Sequence, residues 1–150
     1  MNFLFKKRLI EQLKKQLQND IALYENSLAD LQDDISNETK SSAGDKFETS
    51  REMMQQERQK AELQLQRLRR TLQQIDELGS SKFEKIENGA LVRCGKMHIF
   101  FISGLNNTSL DGQKIYVSAI TSPVGKALQG LGVGAERIIN GNTFLVEELC

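Results

Sequence analysis

Two carboxylates, Asp45 and Glu48, stand three residues apart in "GDKFETSRE", directly after the small residues "SSA". At the start of a helix this spacing puts both on one side. Such a pair can do two different things. It can accept hydrogen bonds from the free N–H groups of the helix start, as in a capping box, which stabilises the helix by about 1 kcal/mol and implies no function. Alternatively, it can offer hard oxygen ligands to a Mg²⁺ ion whose other ligands are phosphates and water, completing a metal site inside another macromolecule and placing an attacking water there. Spacing alone favours the cap. The other chemistry depends on what carries the pair.

The remaining candidates are weaker. His98, in "KMHIFF", is the one histidine of the chain and reads as a structural residue of a strand. Cys94, in "VRCGK", has no activating base in view and reads as a small buried hydrophobe. Cys94 and Cys150 are far apart and there is no C-x-x-C, which argues against a disulfide framework and a metal site of the chain's own. The glycines of "GLGVGAE" do not follow a strand and open a helix, so they are not a phosphate loop. "RLRR" holds Arg67, Arg69 and Arg70, and "KKR" spans Lys6 to Arg8. In an antiparallel hairpin the two runs come together at the base. They form either a basic patch for phosphates or an acidic partner, or a solvated helix face.

The elements that must carry the acids are legible. Apolar residues recur at Ile10, Leu13, Leu17, Ile21, Tyr24, Leu28, Leu31 and Ile35, in steps of three or four. They resume at Met54, Ala61, Leu65, Leu68, Leu72 and Ile75, with Arg58 in the gap. This is one sticky seam per helix, broken once by polar residues, and it predicts an antiparallel coiled-coil hairpin with arms of roughly 45–50 Å. The hairpin spans 1–78, with its acidic tip near 36–48. Gly79-Ser80-Ser81 ends the second helix and serves as a linker. From 82 to 150 the period changes to that of strands bounded by glycine and asparagine. "SPVGKALQG" reads as a short helix capped by Ser122 with Pro123 at its first position. "NGN", Asn140 to Asn142, marks the turn of a closing hairpin. The fold class is α+β: a long N-terminal hairpin, then a small mostly-β domain.

Composition narrows the function classes. Hydrophobic residues make up 39 % and charged residues 27 %, and the formal net charge is +0, so no global field draws the protein to nucleic acid or to an anionic membrane. "MNFLFKKRLIEQ" puts its apolar residues before its basic ones, the reverse of a secretory signal. No apolar run is long enough to span a bilayer. A cytoplasmic monomer without membrane contact is the expectation.

The chain resembles the bacterial Gre transcript-cleavage factor family at two places. Gly44-Asp45-Lys46-Phe47-Glu48 is similar to the family's Gly-Asp-x-x-Glu. Ser122 to Glu136, "SPVGKALQGLGVGAE", is similar to its Ser-Pro-x-x-x-Ala-Leu-x-Gly-x-x-x-Gly-(Asp/Glu), with Ser122, Pro123, Ala127, Leu128, Gly130 and Gly134 in register. The resemblance implies a coiled-coil hairpin followed by an FKBP-like domain. It implies a transcription elongation factor that binds RNA polymerase at the rim of the secondary channel, through residues near Ser122, Pro123, Gly130 and Gly134. The tip acids Asp45 and Glu48 would then help hold the second Mg²⁺ of the polymerase while it cleaves its own backtracked RNA. On this reading the protein is not an enzyme, has no cofactor of its own, shares Mg²⁺ with the polymerase, and meets nascent RNA and DNA only through the elongation complex.

The family commonly has Asn-Ala-Glu-Tyr after the second acid, where this chain has Thr49-Ser50-Arg51-Glu52. That departure leaves open a channel-binding regulator or inhibitor that does not stimulate cleavage. A coiled-coil adaptor is a third reading. Prolyl isomerisation is disfavoured, because the chain has no Trp and few aromatic residues to line an apolar pocket.

Overall fold

The apolar seam forms two long helices, α1 (Phe3–Glu38) and α2 (Gly44–Leu78). The structure is a computed structural model that describes residues 3–38, 44–79 and 81–150, without the side chains of 38 and 44–47. The polar stretch read as the tip is therefore partly helical: α1 continues to Glu38 and α2 resumes at Gly44. Residues 39–43 and linker residue Ser80 lie outside the described residues.

Contacts gather the chain into two compact units, residues 15–72 and residues 1–14 with 73–150. Within 15–72 the two helices pack antiparallel. Arg69 pairs with Glu25 at 2.9 Å, and Arg58 donates to Gln32 at 3.4 Å. Advancing along α1 therefore means retreating along α2. Leu17, Ile35, Leu65 and Leu68 are buried, while Ile21, Tyr24, Leu28, Leu31, Met54 and Ala61 are partly covered. Every seam position of this unit is shielded from solvent, as an apolar stripe between two helices requires. Arg58 fills its gap by lying along Gln32, with Glu62 one turn on at 3.9 Å.

The second unit is built on a five-stranded sheet in the order β3-β4-β2-β1-β7. Its strands are β1 (Leu91–Cys94), β2 (Met97–Phe101), β3 (Thr108–Leu110), β4 (Gln113–Ser118) and β7 (Glu148–Leu149). β2 and β4 pair in parallel, and the other pairs are antiparallel. A separate hairpin joins β5 (Glu136–Ile139) to β6 (Asn142–Leu145) through Asn140-Gly141. Both turn residues have positive φ, at 51° and 80°, as a tight type I′ hairpin turn requires. Asp111-Gly112, at 52° and 75°, turns β3 into β4 in the same way.

Side chains alternate across the sheet, so it has two faces to cover. One face carries Val92, Cys94, Ile99 and Phe101 against Ile86, Leu128 and Val146. The other carries Leu91, Phe100 and Ile115, all fully buried, with Arg93 and His98. The first turns of α1 are tied to this second face. The rings of Phe5 and His98 lie 6.0 Å apart, and Gln12 donates to Thr108 Oγ1 and to the Ser109 carbonyl. Arg8 grips Asp111 with two hydrogen bonds of 2.7 and 2.6 Å. Leu9 and Leu13 are buried on the same helical stripe.

The short helix α3 (Pro123–Leu128) starts as the sequence predicts: Ser122 accepts from the Gly125 N–H at 3.0 Å, and Pro123 follows it. The helix is seated so closely that a Cβ on Gly125 would run into the backbone carbonyl oxygens of Ala119 and Ile120. A Gly125→Ala variant is expected to lose about 2–3 kcal/mol of stability through forced backbone shifts. Lys126→Ala, at an exposed neighbour, should stay within about 0.5 kcal/mol of wild type. Chemical denaturation of the two variants side by side checks this.

Candidate functional site

Asp45 and Glu48 both fall in the opening turns of α2, with the i, i+3 spacing that shares one helix side. Glu48 is exposed, and the side chain of Asp45 lies outside the described residues. The start of a helix concentrates unpaired N–H groups, so carboxylates are favoured there whatever else they do. Two carboxylates suit Mg²⁺ by donor type but fall well short of its six ligands. Among the described residues no group of three or more His, Cys, Asp and Glu is arranged to hold a metal ion. Any cation at the tip would need most of its ligands from elsewhere.

The residues around α3 hold the β unit together. Ser122 caps the helix and also bonds Ser118 Oγ at 2.7 Å. Gly130 and Gly134 adopt φ of +83° and +90°, and their N–H groups reach the carbonyls of Ile86 and Val146, both at 2.8 Å. Pro123 remains exposed at the helix start. Gly125 was a variable position in the sequence pattern, yet here it has no room for a side chain. Only the packing reveals that.

The basic residues divide by environment. Arg69 pairs with Glu25, while Arg67 and Arg70 are exposed on α2. In the "KKR" run, Arg8 is held by Asp111 and Lys6 is 2 % exposed, leaving Lys7 facing solvent. The run is thus largely absorbed by the folding of its own unit.

His98 is buried beside Phe5, and its pKa is lowered, first by burial and then by the Arg93 charge. Burial pushes the Cys94 thiol up, so it is a poor nucleophile. Arg93 bridges Glu147 and Glu148, and its hydrogen bond holds Glu148 below the ordinary carboxylate range. No helix among the described residues is long and apolar enough to cross a membrane.

No family model and no curated protein matches the chain. Two solved structures are similar to it. One is a structure of the transcription factor Gfh1, 19 % identical, covering 91 % of this chain and 92 % of that one at a TM-score of 0.34. The other is Gfh1 of Thermus aquaticus, 19 % identical, covering 90 % and 92 % at a TM-score of 0.33. Likeness at this level leaves the functional reading to the chain's own residues.

Among the described residues, the titratable group most changed by folding is Lys6, which the sequence reading placed only in a basic run. It lies on the buried stripe with Leu9, Ile10 and Leu13, one turn ahead of Leu9 and Ile10. Its Nζ sits 4.1 Å from the centre of the Phe83 ring and has no hydrogen-bond partner among the described residues. Burial lowers its pKa from 10.5 to about 8, against a smaller opposing effect of Cys150.

At neutral pH the folded chain therefore carries a desolvated ammonium, at a cost of about 3 kcal/mol. Between pH 8 and 10.5 the unfolded chain holds the proton that the folded chain has lost, so stability from this group rises with pH. Lys6→Met is expected to be more stable than wild type at pH 7, with the gap closing as pH is raised through this window. Denaturant titrations of both proteins from pH 7 to 10 check the sign, run in a Cys150→Ser background because the Cys150 thiol interacts electrostatically with Lys6.

Proposed function

We propose that this protein is a transcription elongation factor of the Gre type, which binds RNA polymerase at its secondary channel and presents Asp45 and Glu48 to the active centre. The observation that carries the reading is the position of the acids: they open the second helix of a two-helix arm, in the Gly-Asp-x-x-Glu pattern, where the helices turn back. From Lys15 to Glu38 the arm runs roughly 36 Å at 1.5 Å per residue. An antiparallel helix pair is narrow enough to enter a channel closed to a whole domain. Ser122 to Gly134 would supply the polymerase-binding surface, with Pro123 the exposed member at its start.

In the mechanism, the arm carries two carboxylates into a site that already holds nucleic-acid phosphates. There Asp45 and Glu48 would contribute oxygen ligands toward the second Mg²⁺. That ion, when bound, supplies Lewis-acid activation of a water and neutralises charge on the scissile phosphate. The chain's own part is delivery and orientation, and the polymerase performs the cleavage. Thr49-Ser50-Arg51-Glu52, in place of the family's Asn-Ala-Glu-Tyr, favours a second reading in which the arm occupies the channel without stimulating cleavage.

The deciding experiment places the protein on an artificially backtracked elongation complex with Mg²⁺ and polymerase from its own source. On the cleavage reading, wild type shortens the RNA to an extendable product. Asp45→Asn/Glu48→Gln should reduce that rate by about two orders of magnitude, the scale of lost electrostatic contacts in a transition state, with polymerase binding retained. Binding without cleavage by either protein would select the regulator. Absence of binding would leave the adaptor.

A further inference from the structure

Within the unit of residues 15–72, the two helices carry charge of opposite sign. From Lys15 to Glu38, α1 has six acids and one base; from Arg58 to Leu72, α2 has five bases and one acid. Part of this charge is used inside the chain. Arg69 meets Glu25 at 2.9 Å, and Arg58 lies beside Gln32 and Glu62. A second set is not used in this way. Asp20, Asp30 and Asp34 on α1, and Lys60, Arg67 and Arg70 on α2, are exposed and have no ion-pair partner among the described residues.

These six charges form two rows. Asp20, Asp30 and Asp34 stand ten and four residues apart, with Leu23 one turn after the first, and share one stripe of α1. Lys60, Arg67 and Arg70 stand seven and three residues apart and share one stripe of α2. Counted at about 100° per residue from the apolar seam, the acidic row lies roughly a quarter-turn away, and the basic row spans roughly a quarter-turn to a half-turn. The offset has the same sense on both helices, and the helices run antiparallel, so both rows fall on one flank of the pair. Glu25 and Arg69 are offset in the opposite sense and meet on the other flank. Leu23 and Met53, 63 % and 60 % exposed, are large apolar side chains on the flank that holds the two rows.

We infer that this flank is the contact surface of a weak dimer, its occupant a second copy of the chain. The contacts between the helices set the levels of the two rows. Lys60 follows Arg58 by two residues and Asp30 precedes Gln32 by two, so Lys60 and Asp30 stand level. By the Arg69–Glu25 contact, Arg67 and Arg70 stand between the levels of Asp20 and Asp30. A two-fold axis along the arm keeps every residue at its level and exchanges the helices. The acidic row of each copy then faces the basic row of the other, and the match is made twice. Nucleic acid would meet the acidic row together with the basic one, and contact between like charges is costly. A second copy meets the opposite sign in both places. The flank is about 21 Å long and about 20 Å wide, so the contact buries about 800 Å² over both copies, below the roughly 1,200 Å² of a stable interface. The dimer is therefore a readily dissociating one, and it departs from the monomer expected from the sequence. On the proposed function a paired arm is too broad for the channel, which makes the dimer an idle form. That consequence rests on the transcription reading; the pairing itself does not.

The test is sedimentation equilibrium of the full chain up to about 1 mM, which needs no polymerase and so reads the pairing apart from the function. A monomer–dimer equilibrium is expected at low salt, with a dissociation constant of about 100 µM that weakens about tenfold or more on going from about 0.05 to about 0.5 M NaCl. Asp30→Lys/Asp34→Lys makes both rows basic, and Lys60→Asp/Arg67→Asp makes both acidic. Each variant should lose about tenfold or more in self-association, while circular dichroism shows the helices retained, since all four positions are exposed. Mixing the two variants should restore a dimer at least as tight as wild type, a result that misfolding of either one does not give. The proposal is overturned by a monomer at every concentration, by a dimer whose affinity neither variant changes, or by the absence of a mixed dimer from two folded variants.

Discussion

The fold of the second unit depends on covering a sheet that is apolar on both faces. Ile86, Leu128 and Val146 close one face, but Leu91, Phe100 and Ile115 point the other way and are fully buried. The start of α1 provides the cover, with Leu9 and Leu13 at its centre, each side chain contributing about 1.5–3 kcal/mol of burial. Apolar burial has no direction of its own, and polar contacts supply one. The planar guanidinium of Arg8 matches the Asp111 carboxylate in a two-bond grip on the β3–β4 turn, and Gln12 reads the adjacent strand edge. These contacts fix which helical face meets the sheet. They also explain why Lys6 is buried: it shares the stripe that the cover requires.

Much of this was legible before any coordinates. The three- and four-residue spacing named the buried stripe of both helices, Ser122-Pro123 named the start of α3, and Asn140-Gly141 named a hairpin turn. In each case the relevant physics is local: helical period, an orphan N–H, a positive φ. What escaped was the identity of the partner. Leu13 follows the same period as Leu17, yet belongs to the unit that contains the sheet, whereas Leu17 belongs to the helix pair. Periodicity says that a face is covered and says nothing of what covers it. Extending the stripe back by one turn from Leu9 and Ile10 would have reached Lys6, but three adjacent cations read more readily as a solvated run. Strand β3 was missed for another reason: three residues are too few to show alternation, and only Asp111-Gly112 signals the hairpin.

Gly125 shows a different limit. In a sequence pattern, a position that tolerates several residues across a family and one that cannot tolerate a Cβ in this chain look the same. The constraint arises from two backbone carbonyls that precede the helix, and it exists only once α3 is seated against them. Gly130 and Gly134, which the resemblance offered as polymerase-binding residues, differ in kind: both have positive φ, a constraint of the backbone at the residue itself. Packing constraints are relational, whereas backbone constraints are carried by the residue.

The proposed working end follows from the same distinction. Among the described side chains, the seam of the helix pair ends at Ile35 on one helix and restarts at Met54 on the other, and Asp45 and Glu48 fall in the interval between them. Across that interval the chain passes from α1 to the start of α2. Carboxylates are favoured at any helix start, and so their presence there is weak testimony to function on energetic grounds alone. What distinguishes them is the arm behind them. On the proposed function, a helix pair held by its own seam presents this short acidic sequence at its end. The physics of folding accounts for the arm, and the acids need a partner's site to give them a role.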